Sequence, residues 1–445
     1  MYTNSLAALR AGRIVVTNYA IKAVDILLPE LEKAFFDDRW QIRHSSVELV
    51  GTMMYQLIGI NRRPEDGEEE APEEATETQR AALVEVLGQE RRDRILSALY
   101  IARQDISGIV RIAAAQVFKT LVTNPQKTVR EMLPTLTNMI VKNLASADEE
   151  RRQGSARTLG DIVRKFGQGT LSELLPLLLK GLRSHDPVYV QGICIALVEV
   201  MNSASKESLE VFQDMLCDAV KQALHYPDAE VQKAAAEGFD ALQAQFPSKA
   251  IDYIIPHLLR QLESENESES EVALGALREI MKGRSNARIL GTLLPSLTTV
   301  PISAVNAKAL GSLTEAAGSV INPRLGFILQ NMMDSVILVD DSEWVDMLNE
   351  SFQAIILSAE EDEGIRIVLT TLFSGLKVFL HCILSYNSTR ILNVALSLSL
   401  KQEYFSKKPM RISQDMRLNG QANWSVTLLS GMTTLLQVQF GLYRL

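Results

Sequence analysis

Residues 128–167, TVREMLPTLTNMIVKNLASADEERRQGSARTLGDIVRKFG, read as two helices joined by a short polar turn. Val129, Met132, Leu133, Leu136, Ile140 and Leu144 recur at the spacing that places side chains on one stripe of a 3.6-residue helix. Ser146-Ala147-Asp148-Glu149-Glu150 breaks that pattern. Asp148 is suited to cap the next helix, its carboxylate accepting from backbone N–H groups that lack a helical partner. Glu149 and Glu150 then stand at the positive end of the helix dipole. Ala156, Leu159, Ile162, Val163 and Phe166 form the second stripe, and Gly167 stops it. A pair of such helices still leaves one apolar face uncovered, so the unit requires neighbours.

The same pattern recurs along the chain. Residues 6–19 have helical periodicity, and a first helix follows with Val24, Leu27, Leu28, Leu31 and Phe35. Asp37-Asp38 makes the turn to a second helix marked by Trp40, Ile42, Val47, Val50 and Met54. Ile95 to Ile101 and Val110 to Leu121 flank Asp105; Leu174 to Leu182 and Val190 to Val200 flank Asp186. Val211, Met215, Val220 and Leu224 lead to Asp228, and Val231, Ala235, Gly238, Leu242 and Phe246 follow. Further units cover Ser248–Lys282, Ala287–Ser319 and Leu325–Leu357, the last with Trp344 early in its second helix.

Two tokens make this a repeat. Proline follows an aliphatic residue within the first helix at Leu28-Pro29, Leu133-Pro134, Leu175-Pro176, Ile255-Pro256 and Leu294-Pro295. Proline costs about 3 kcal/mol in a helix interior, so its return at one register marks a shared bend one turn into that helix. Pro134 and Pro176 are 42 residues apart, Pro256 and Pro295 are 39 apart. Glycine follows an aliphatic residue in the second helix at Val50-Gly51, Leu159-Gly160, Leu274-Gly275 and Leu310-Gly311, where it would let a neighbouring helix approach closely. Pairs such as Asp38 with Arg43, Asp105 with Arg111 and Asp228 with Lys233 suggest a ladder along the turn edge that sets register. A period near ~40 residues with two helices per unit indicates an all-α fold, an α-solenoid of HEAT-type hairpins with about nine repeats.

Four segments result. Residues 1–60 hold the first repeats, and 61–79, NRRPEDGEEEAPEEATETQ, form an acidic stretch without an apolar anchor that reads as a disordered loop. Residues 80–370 hold the rest of the array. From 371 to 445 the tokens stop, and between 371 and 400 Lys377 and Arg390 are the only charges. This tail reads as an atypical continuation, of the kind a mis-spliced or frameshifted gene model would produce. Asn387, Ser388 and Arg390 interrupt its apolar run, which argues against a membrane span.

Composition narrows function. Net charge is −9, so a global basic footprint for nucleic acid is missing. Cys194, Cys217 and Cys382 are too widely spaced for a zinc module or a disulfide framework, and the two that lie in helical patterns read as small core residues. The five histidines, His44, His185, His225, His257 and His381, form no ligand set. Phosphate-binding glycine loops, HExxH and GxSxG are absent. The expectation is a protein that is not an enzyme, takes no cofactor, metal or small-molecule substrate, and resides in the cytoplasm or nucleus, since no signal peptide opens it.

The remaining candidates are basic clusters: Arg91, Arg92 and Arg94 opening one unit, Arg151 and Arg152 opening another helix, and Arg164 and Lys165 ending it. Arginine clamps phosphate or carboxylate through two parallel hydrogen bonds, so contact with ribosomal RNA or an acidic partner is conceivable. The plainer reading is a solvated face, because Glu90, Asp93, Glu149 and Glu150 interleave.

The runs Leu27-Leu28-Pro29-Glu30-Leu31-Glu32 and Phe36-Asp37-Asp38-Arg39-Trp40-Gln41-Ile42-Arg43-His44-Ser45-Ser46-Val47-Glu48-Leu49-Val50-Gly51 resemble the central part of the general-control translational activator family. So do Glu90–Leu96, Thr128–Leu136 and Ala156–Lys165. The resemblance covers about Leu6 to Leu369 and departs after Thr371, and the chain would be only a central slice. It implies a giant HEAT-repeat scaffold that binds ribosomes and activates the kinase acting on translation initiation factor two in amino-acid starvation. The rival is another HEAT scaffold, an importin-beta-type transport receptor, to whose acidic loops the run 64–74 is similar.

Overall fold

A computed structural model of the chain describes residues 2–59, 83–283, 286–338, 341–359 and 362–386. The acidic stretch 61–79 and the tail beyond residue 386 lie outside the described residues. The chain divides into two compact units, Met1–Val368 and Leu369–Leu445. No strand occurs among the described residues.

Helices pair in series. The hairpins are α1 (Tyr2–Ala34) with α2 (Trp40–Leu57), α3 (Gln89–Ala102) with α4 (Gly108–Leu121), and α5 (Pro125–Leu144) with α6 (Glu149–Phe166). Next come α7 (Gln168–Gly181) with α8 (Pro187–Ser203), then α9 (Lys206–Glu210) and α10 (Gln213–Leu224) with α11 (Ala229–Gln245). The series continues through α12 (Pro247–Leu262) with α13 (Glu267–Met281), α14 (Asn286–Leu297) with α15 (Ala304–Ala317), and α16 (Asn322–Leu338) with α17 (Ser342–Ser358). A last helix, α18, spans Asp362–Tyr386.

Second helices stack on one another: α2 on α4, α6 on α8, α8 on α11, α11 on α13, α13 on α15 and α15 on α17. The succession is offset once. Between the second and third repeats, α3 packs against both α5 and α6.

Local chemistry explains the boundaries. The Asp148 carboxylate accepts from Glu150 N–H at 3.0 Å, and Asp186, Asp228, Asn266 and Asp341 cap the corresponding helices of later repeats in the same way. Gly167 ends α6 at φ 67°, backbone that a side chain disfavours. Met132, Leu136, Ile140 and Leu144 of α5 are fully buried, as are Leu159 and Ile162 of α6 in the same core.

The proline token lies inside α1, α5, α7, α12 and α14, as its register requires, but at the ninth residue or later of each helix rather than one turn in. The glycines sit where repeats meet. A Cβ on Gly51 would come within 2.7 Å of Val117, one on Gly160 within 2.6 Å of Ser203 Oγ, and one on Gly275 within 2.5 Å of Gln232. Trp344 lies in the first turn of α17, where its indole N–H donates to Ile302 O at 3.0 Å. Cys194 and Cys217 are buried.

Three further expectations change. The segments read separately before and after Ala20 form the single helix α1, since no proline or cap separates them. In the fifth repeat the first helix breaks at Val211-Phe212, which resets the stripe: Leu209, Leu216, Val220 and Leu224 are buried, whereas Val211 is 63% exposed. Leu133, read as core, is half-buried at the surface of α5, because the neighbouring α7 does not close over it.

Candidate partner-binding surface

At the turn edge the first three repeats meet around one arginine. Arg43, near the start of α2, is 6% exposed. Its Nη1 donates to the carbonyls of Asp37 and Asp38 at 2.9 and 3.0 Å, closing its own turn. Its Nε and Nη2 clasp the two Asp105 oxygens of the second repeat at 2.7 and 3.0 Å, a planar fork meeting a carboxylate. Nη2 also reaches Glu150 of the third repeat at 3.1 Å. Burial works against the charge, but hydrogen bonding and attraction to Asp105 and Glu150 outweigh it and raise the guanidinium above its ordinary pKa. A cavity of about 30 Å³ lies beside this cluster, lined among others by Phe36, Ile101 and Gly154.

The same device recurs in part. Arg111 and Arg152, each four residues into its helix as Arg43 is, donate to the two carbonyls six and five residues earlier. Arg152 also donates to Gln191 of the fourth repeat at 3.1 Å, Gln232 to Val272 O at 2.9 Å, and Lys308 pairs with Glu271 at 3.6 Å. The turn edge is therefore laddered, though amides and carbonyls share the work expected of acid–base pairs.

A second polar cluster ties the second repeat to the third. Tyr100, fully buried in α3, donates to Asp161 Oδ2 of α6 at 2.8 Å. Lys165 Nζ lies 2.7 Å from the same oxygen and 3.3 Å from the phenol oxygen. Burial and the negative charge of Asp161 push the Tyr100 phenol up. Burial opposes the Asp161 charge too, but hydrogen bonds from Lys165 and Tyr100 overcome it and hold the carboxyl below the ordinary range. Tyr100 and Phe118 meet edge to face, 5.5 Å between centroids, and the Arg103 guanidinium stands beside both rings, 4.8 and 5.0 Å from their centroids.

Of the basic clusters singled out in the sequence, Arg151 and Arg152 lie at the first site and Arg164 and Lys165 at the second, whereas Arg91, Arg92 and Arg94 stand at the start of α3 and pair elsewhere. Arg91 pairs with Asp25, Arg92 with Asp93 and Glu131 (3.3 and 3.0 Å), and Arg94 with Glu32 (2.8 Å). Arg151 donates to Phe36 O and stands over the Phe36 ring, 5.8 Å from its centroid. Arg152 is buried in the turn. Arg164 approaches one Asp161 oxygen at 3.6 Å, and Lys165 pairs with the other. Each of the seven has a partner within the chain, mostly on another repeat. Sequence reasoning placed Arg43 in the turn-edge ladder beside Asp38 but missed it as the hub that reaches Asp105 and Glu150 of the next two repeats.

Among the described residues no group of three or more His, Cys, Asp or Glu could hold a metal ion, and no helix is long and apolar enough to cross a membrane. What the chain offers is an extended laddered surface, and the class it defines is the HEAT-type α-solenoid. A family model described as "Stalled ribosome sensor GCN1-like, HEAT repeats" matches residues 289–412. The chain is 43% identical over 372 residues to the eIF-2-alpha kinase activator GCN1 of Saccharomyces cerevisiae, covering 83% of this chain and 14% of that protein. Against the stalled ribosome sensor GCN1 of Homo sapiens the figures are 39% over 371 residues, 83% and 14%. Against the protein ILITYHIA of Arabidopsis thaliana they are 38% over 370 residues, 83% and 14%. The chain belongs to the GCN1 family and spans about one seventh of the length of these relatives. Among solved structures, Kap121p bound to Pho4p matches at 17% identity over 88% of this chain and 43% of that one, with a TM-score of 0.38, too loose a likeness to support the transport-receptor alternative.

Proposed function

We propose that this array is a non-enzymatic scaffold that works in the cytoplasm on the ribosome and contributes to activating the kinase that phosphorylates translation initiation factor two. The observation that carries the reading is the 43% identity to a named kinase activator, sustained over 83% of the chain. The array would hold kinase and ribosome within reach of one another, so that a weak encounter becomes effectively intramolecular. Arg91, Arg94, Arg164 and Lys165 remain 40% or more exposed despite their internal pairs, and we place the partner contacts, ribosomal RNA or an acidic protein surface, on them. The domain plan keeps residues 80–370 as the working array and sets the acidic stretch 61–79 and residues 371–445 apart from it in sequence, although the family match runs on to residue 412.

The test is ribosome co-sedimentation and kinase pull-down with the full chain, repeated with Arg164→Glu and Lys165→Glu together. The expected result is retention by both partners, weakened by the charge reversal. Failure of both assays with the unaltered chain would refute the proposal.

A further inference from the structure

One open surface takes no part in the interactions described so far. Second helices α6 and α8 pack tightly, whereas first helices α5 and α7 diverge and leave a groove of about 620 Å³ between them. Its apolar lining is Leu133 and Pro134 from α5, Phe166 from the end of α6, and Leu174 and Leu177 from α7, with Thr137, Asn138 and Thr170 among them. Leu177 is 47% exposed, and Leu133 and Phe166 are half-exposed. Arg130, over the Phe166 ring at 5.8 Å, and Glu173 stand on opposite walls.

The end of the groove nearest the turns carries two lysines. One helical turn past Asn138 and Leu177, at the ends of α5 and α7 nearest the turns, stand Lys142 and Lys180. Both are exposed, and neither has an acidic partner among the described residues. All backbone groups along the walls are helical, so no strand can be added there, and recognition falls to side chains. A mixed rim with one acid and few cations does not fit a polyphosphate backbone.

We propose that this groove docks an amphipathic helix of a partner protein, with its apolar stripe between Leu133 and Leu177 and an acidic first turn facing Lys142 and Lys180. That orientation runs the incoming helix antiparallel to α5 and α7. Its positive dipole end then meets their negative ends, and acidic residues in a first turn are where a helix favours them. Apolar residues at three- and four-residue spacing supply the stripe. The proposal does not depend on ribosome or kinase binding.

The probe is a synthetic helix of about 16 residues with an acidic first turn and leucines spaced as an amphipathic stripe, followed by fluorescence anisotropy with the full chain. The controls are a scrambled peptide and one with the acidic residues moved to its last turn. The acidic-first peptide should bind in preference to both. Leu177→Arg, an exposed position, should lower affinity at least about tenfold with helix content and melting temperature unchanged. Lys142→Glu with Lys180→Glu should invert the preference in favour of a peptide with lysines in its first turn. Equal binding of the scrambled peptide, no binding of any peptide, or indifference to both substitutions overturns the proposal. Concentration-dependent self-association lost in Leu177→Arg would make the occupant a second copy of this chain and overturn it as well.

Discussion

Replacing Gly192 by alanine should loosen the joint between the third and fourth repeats. Gly192 lies in α8, where it faces the end of α5. A Cβ built there would sit 2.1 Å from Leu144 O, 2.9 Å from its carbonyl carbon and 3.2 Å from its Cα. The obstacle is backbone, which has no rotamer to change, so the helices must separate by roughly 1 Å in a core packed to crystalline density. Overpacking of this kind costs about 1–3 kcal/mol, and a rigid obstacle argues for the upper end. Alanine returns about 1 kcal/mol of helix propensity. The net is a loss of about 2 kcal/mol. Gly291 in α14 provides the reference, since a Cβ there meets nothing within 4 Å; Gly291→Ala should stabilise. Stacked repeats can unfold one after another, so urea denaturation should be read together with amide exchange across α5 and α8. If Gly192→Ala and Gly291→Ala shifted the midpoint the same way, the close approach assigned to α8 would be refuted.

Other perturbations follow from the same packing. Arg43→Met leaves Asp105 without its fork and should cost about 3–5 kcal/mol by chemical denaturation, and Arg43→Lys should not restore it because a point charge cannot clasp both oxygens. Leu136→Ala, in the closed core of α5, should cost about 2–5 kcal/mol, and Leu133→Ala clearly less, since Leu133 lines the open groove; equal losses would contradict the burial pattern. Asp161→Asn should destabilise at neutral pH. The folded carboxyl lies below its unfolded value, so its contribution is present above the unfolded pKa of about 3.9 and lost as pH falls through the folded one. The stability gap between Asp161→Asn and the unaltered chain should therefore close on acidification; a constant gap from pH 7 to pH 3 would argue against the Tyr100–Asp161–Lys165 cluster.

Much of the architecture is legible along the chain because its causes are local. Asp148, Asp186 and Asp228 cap helices wherever they stand in space, and apolar spacing dictates which face must be covered. The proline and glycine tokens expose the period because each is costly in a helix unless the geometry repeats. Where the reading slipped, the missing information lay on a neighbour: nothing in residues 131–136 says that α7 leaves Leu133 partly open, and nothing around Val211 announces the break that turns it outward. The basic clusters show the limit most clearly. Arg151 and Arg152 look alike in sequence, yet one stacks on Phe36 and the other is buried in its own turn, since their partners lie on different repeats.

Sequence by itself determined that this protein is a series of helical hairpins, since periodicity, caps and recurrent tokens are properties of residues a few positions apart. Only the tertiary structure decided that Arg43 joins three repeats, that α8 meets α5 at Gly192, and that α5 and α7 part to leave a groove. Those outcomes depend on the distance and angle between successive hairpins, set by residues as far apart in sequence as Arg43 and Glu150 or Arg152 and Gln191, and no short window of sequence carries them.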